Sequence, residues 1–149
     1  MKDLYEAGVL EEILHRISRL APDSPRQWGK MNIAQMMAHC TSTLEVAAGE
    51  KTNPRSVLGR IFGSFAKASF VSDKPFPKNS PTDKNFIIHG DRVFVLEKSR
   101  LAGVVTRFSQ GGDAGCTRHP HSFFGPMTPT EWSHSMYKHL DHHLRQFSV

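Results

Sequence analysis

Cysteine is scarce: only Cys40 and Cys116 occur in 149 residues. That excludes a disulfide-stapled secreted scaffold and makes a reducing cytoplasm the expected compartment. No apolar run approaches the roughly 18 residues that a membrane span needs, so no membrane partner is expected. The opening residues, Met1-Lys2-Asp3-Leu4-Tyr5-Glu6, carry two acids and no apolar block, unlike a secretory signal. Internal repeats are absent. With 38% hydrophobic and 22% charged residues, the chain is neither a disordered tail nor a membrane protein. Its length suits one domain spanning residues 1–149. The net charge of +5 comes from 19 basic residues scattered among 14 acids, which reads as a solvated surface and argues against nucleic acid.

Histidine is abundant. There are nine, and six lie between positions 119 and 143. Histidine is the commonest metal ligand and the side chain that titrates near neutral pH, so composition alone raises a metal or acid–base question.

Helical periodicity organises the chain. Leu10, Ile13, Leu14, Ile17 and Leu20 form one apolar stripe in a helix over 4–20, closed by Pro22 and Pro25. A second helix starts after Asn32, whose capping box is completed by Gln35. Its apolar side is Ile33, Met36, Met37, Cys40, Leu44 and Ala47, and Gly49 stops it. A third is expected over 91–110, capped by Asp91 and ended by Gly111-Gly112. A fourth follows the Thr128-Pro129-Thr130-Glu131 capping signature and runs to about Phe147. Between the second and third lies a short amphipathic helix within 54–70, with Val57, Leu58, Ile61, Phe62 and Phe65 on one face. A proline-punctuated stretch follows it, in which 86–88 could be a short strand. Four long amphipathic helices with one long crossover predict an all-α four-helix bundle.

The sharpest local pattern is His139-Leu140-Asp141-His142-His143. Residues four apart on a helix differ by about 40° in direction and about 6 Å along the axis, so His139 and His143 can converge on one ion. Both fall on the stripe that Trp132, Met136, Leu140 and Phe147 mark as buried, whereas His142 is turned about 100° aside. The plainer alternative is a partly exposed pair near a helix C-terminus. A third ligand is available in His39, on the apolar side of the second helix, although a lone histidine there is ordinarily a satisfied core residue. Three histidines with an open position for water make a catalytic rather than a closed structural metal site. Cys40, next to His39, reads better as a small buried hydrophobe than as a fourth ligand. The loop Arg118-His119-Pro120-His121 precedes the last helix. Its histidines are candidate proton carriers beside His142, and Arg118 is a candidate contact for a substrate carboxylate. His15, His89 and His134 have no role that the sequence suggests.

Several segments resemble a known family. They are Trp28-Gly29-Lys30-Met31, Ala34-Gln35-Met36-Met37-Ala38-His39-Cys40, Asp73-Lys74-Pro75-Phe76, His119-Pro120-His121-Ser122-Phe123-Phe124-Gly125 and the ending from Tyr137 to Phe147. Together they resemble the bacterial domain of unknown function 1569, a branch of the DinB-like (YfiT-like) superfamily. The resemblance implies an up-up-down-down four-helix bundle, with an extra short helix and a long loop between helices two and three. It implies a divalent metal, nickel or zinc, held by His39, His139 and His143. It further implies homodimers and chemistry on low-molecular-weight thiols. The ending His143-Leu144-Arg145-Gln146 keeps the glutamine of the common His-Arg-Gly-Gln ending and departs from it in between.

The expected function is thus a metal-dependent thiol transferase or hydrolase acting on a small-molecule substrate through a three-histidine site. The alternative is a non-catalytic metal or small-ligand binding protein of the stress response.

Overall fold

A computed structural model describes residues 2–149. The fold is all-helical, with five α-helices in chain order and no strand among the described residues. They are α1 (Ala7–Arg19), α2 (Ile33–Ala47), α3 (Val57–Phe70), α4 (Phe94–Gly115) and α5 (Pro129–Gln146), with a single 3₁₀ turn at Lys84–Phe86. The stretch expected as a strand is this turn followed by extended, unpaired backbone. None of the helices is long and apolar enough to cross a membrane among the described residues.

Capping sets the two helices that carry the site. Asn32 accepts from the Gln35 amide, and the Gln35 side chain accepts from the Asn32 amide, which starts α2. Thr128 and Glu131 do the same for α5, with Pro129 at its first turn. The expected cap at Asp91 is not used. Gly90 turns the chain at φ 74, and helical backbone begins only at Phe94, after Val93. The glycine pair does break the helix: Gly112 has φ 53 and ψ −149, though one further turn runs on to Gly115.

Helices α1, α2, α4 and α5 share one core. It includes Ile13 and Ile17 of α1, Met36, Met37 and Leu44 of α2, Leu101, Val105 and Phe108 of α4, and Trp132, Leu140 and Leu144 of α5. Each such side chain contributes about 1.5–3 kcal/mol when fully withdrawn from water. Arg16 of α1 binds Asp141 of α5 at 2.8 Å, tying the first helix to the last.

The short helix lies the other way round from the expected packing. Gly59 and Gly63 are its buried residues, and the five large apolar residues face solvent. The reason is close approach. A Cβ at Gly63 would lie 2.0 Å from the Phe123 carbonyl oxygen, and one at Gly59 2.6 Å from the Phe123 Cα. Only a glycine face can meet the 121–125 loop backbone at that distance, so the opposite, apolar face points outward.

Candidate metal centre

His39 on α2 meets His139 and His143, which stand one helical turn apart on α5. His39 and His143 are buried and His139 is partly exposed. One nitrogen from each ring lies within 4.8 Å of the others, and the three residues can hold a metal ion. The His39 and His139 Nε2 atoms are 3.0 Å apart.

The hydrogen bonds assign the tautomers of His39 and His143. His39 Nδ1 donates to the Phe86 carbonyl at 2.9 Å, since a carbonyl can only accept. The Gln146 side-chain nitrogen donates to the Trp28 carbonyl at 2.7 Å, so its oxygen faces His143 and accepts from Nδ1 at 2.8 Å. The Thr43 hydroxyl stands 2.9 Å from the Cys40 carbonyl, to which it donates, and 3.3 Å from His139 Nδ1. The Nδ1 atoms of His39 and His143 are therefore protonated and tied down, and their Nε2 atoms present lone pairs. With His139 in the same tautomer, the Nε2 pair 3.0 Å apart holds no hydrogen between its atoms, and a cation would relieve the repulsion; with its proton on Nε2, His139 donates to His39 instead.

Protonation does not readily relieve the repulsion. Burial lowers the pKa of all three, and it is the largest influence on each. His143 is pushed down to about 3 by burial and then by the neighbouring His39. His139 is lowered well below its ordinary value by burial and by His143 and His39. His39 is lowered by burial against the opposing bond to Phe86. Metal ligands must be deprotonated, and this environment keeps them so.

Cys40 is fully buried, 3.8 Å from the Met36 sulfur, with its thiol pKa pushed up by burial. It behaves as a core residue and not as a ligand. His142 packs beside His143, ring centroids 5.1 Å apart, and faces away towards Trp28 and Phe76. His121 is not among the rings around the cluster. It stacks on Trp132 and Phe124, and its Nδ1 accepts the Phe123 and Phe124 amides at 3.0 and 3.2 Å. His119 and Arg118 are exposed, and no contact joins either to the three imidazoles among the described residues. Sequence reasoning missed the partners that aim the rings. Gln146 carried a signal, standing three residues after His143 on the same helix, whereas Thr43 meets His139 on the other helix and its spacing carried none. Phe86 carried none, because its contribution is a backbone carbonyl.

No curated protein and no solved structure matches the chain. A family match covers residues 3–149, almost its full length. The chain belongs to the family described as protein of unknown function DUF1569.

Proposed function

We propose that the chain is a metal-dependent enzyme in which His39, His139 and His143 hold one divalent ion, zinc or nickel, and that it acts as a thiol transferase or hydrolase on a small molecule in the cytoplasm. The supporting observation is that one nitrogen from each of the three rings lies within 4.8 Å of the others, with His39 Nδ1 held by the Phe86 carbonyl and His143 Nδ1 by Gln146. When bound, a divalent ion supplies Lewis acidity that makes a water or a thiol nucleophilic near neutral pH. The chain's own residues do the rest. Phe86, Thr43 and Gln146 orient the imidazoles. His142 is the proton carrier we favour, since it lies against His143, whereas His121 is committed to the loop and His119 and Arg118 lie in solvent. We read α1, α2, α4 and α5 as an up-up-down-down bundle, with α3 inserted in the crossover between α2 and α4.

Protein purified without chelator is expected to carry about one zinc or nickel per chain by elemental analysis. The loaded protein is expected to join cysteine to an aryl halide, or to hydrolyse an ester, faster than the stripped protein. A loaded protein that does neither supports the non-catalytic alternative. A protein without stoichiometric metal overturns both.

The partner proposed for α3 is a second copy of this chain. Val57, Leu58, Ile61, Phe62 and Phe65 are 73, 62, 64, 56 and 89% exposed on one face. Pairing two such faces would bury on the order of 1,000 Å², the lower bound for a specific interface. Light scattering is expected to give a dimer mass for the native protein and a monomer mass for a Phe62→Ser, Phe65→Ser double variant. A monomeric native protein rules this partner out.

A further inference from the structure

The face of α5 next to the three imidazoles opens on a cleft of about 510 Å³. At about 100° per residue, Lys138, Asp141, His142 and Arg145 share that face. The opposing wall is Trp28, from the connection between α1 and α2, with Phe76 and Lys78 from the segment after α3. The walls are aromatic. The His142 ring lies 5.4 Å from Trp28 and 6.0 Å from Phe76, centroid to centroid. The indole N–H of Trp28 is buried with no acceptor among the described residues, which leaves a donor on this wall.

The charge of the cleft is positive. Lys2 is engaged by Glu12, and Asp141 is neutralised by Arg16 at 2.8 Å. That leaves Lys78, Lys138 and Arg145 against Asp73. Lys138 is buried, with its ammonium 4.3 Å from the Phe76 ring centre and bonded to the Ser72 carbonyl at 2.8 Å. Lys78 is exposed. Its ammonium rests 4.7 Å from the Trp28 ring centre, and it pairs with no carboxylate among the described residues. Arg145 shares Asp141 with Arg16 and has most of its side chain in water. Two exposed cations at the rim of an aromatic slot match a ligand that is flat at one end and anionic at the other.

We propose that this cleft binds a small aromatic carboxylate, with the ring among Trp28, Phe76 and His142 and the carboxylate met by Lys78 and Arg145. None of the three clustered imidazoles lines the cleft, so binding does not require the ion. The probes are benzoate, its neutral analogue benzamide and inorganic phosphate, titrated by NMR into chelator-stripped protein. Benzoate is expected to shift the Trp28 indole and His142 ring signals with a dissociation constant of about 1 mM or tighter for so small a ligand. Benzamide and phosphate are expected to bind at least about tenfold more weakly, since each lacks one half of the match. A Lys78→Met, Arg145→Met double variant should lose benzoate affinity about tenfold and keep its weak affinity for benzamide. Phe76→Ala should weaken both. Unshifted Trp28 and His142 signals would overturn the proposal, and so would equal binding of benzoate and benzamide, or of benzoate and phosphate. An unaffected double variant would overturn it too. Because the protein is metal-free throughout, a negative result leaves the three-histidine site untouched, and loss of that site leaves this result standing.

Discussion

Replacing His143 by alanine is expected to take the protein from about one divalent ion per chain to none. His143 is one of three residues that each offer a nitrogen within 4.8 Å of the others, and two imidazoles alone do not complete a site of this kind. The variant should also lose the metal's contribution to stability. Zinc at a thousandfold excess over its dissociation constant stabilises a folded protein by about 4 kcal/mol, so thermal unfolding of the native chain should shift upward with zinc and that of His143→Ala should not. Gln146→Leu distinguishes ligand from positioning residue. It removes the acceptor that holds His143 Nδ1 and leaves Nε2 in place, so affinity should fall about 10–100-fold while the stoichiometry at saturating zinc stays at one. Full metal content in His143→Ala would refute the assignment. An affinity in Gln146→Leu equal to the native value would remove glutamine from its positioning role.

The histidine cluster is legible in the sequence because helical geometry fixes it. His139 and His143 are one turn apart on a helix whose capping box and buried stripe are both plain, and His39 lies on the apolar side of another. Geometry of that kind states which residues share a face and is silent on which face points inward. The short helix makes the point. Val57, Ile61 and Phe65 do line one side, but Gly59 and Gly63 on the other side fit against Phe123, and contact distance outweighs apolar area there. Two glycines four residues apart were the available sign of that close approach. The carbonyl of Phe86 had no sign at all, since every residue carries one and only the path of the 71–93 connection brings this one to His39. Arg118 and His119 show the converse. Residue type suggested chemistry, but the loop turns them to solvent and uses His121, through its ring nitrogen, to fasten its own backbone.

Acidification is expected to unfold the metal-free protein well above the pH at which carboxylates titrate. Burial lowers His39, His121, His139, His142 and His143 below the ordinary histidine value, His121 to about 4 and His143 to about 3. For His121, Asp83 partly opposes the burial and Arg55 adds to it. A folded pKa below the unfolded value of about 6.5 means that the native state binds fewer protons in the interval between them. The stability these groups contribute is therefore present above pH 6.5 and is lost as pH falls towards 4 and then 3. With as many as five protons taken up on unfolding, the slope approaches an upper limit of about 7 kcal/mol per pH unit. Urea unfolding with chelator at pH 7, 6 and 5 should show stability falling at each step. His121→Asn keeps an acceptor for the Phe123 and Phe124 amides but does not titrate, so it should flatten the slope by up to about 1.4 kcal/mol per pH unit. Zinc should stabilise less at pH 5 than at pH 7, because protons compete for the same nitrogens. Equal stability of the stripped protein at pH 7 and pH 5 would show that burial does not hold these imidazoles neutral in the folded chain.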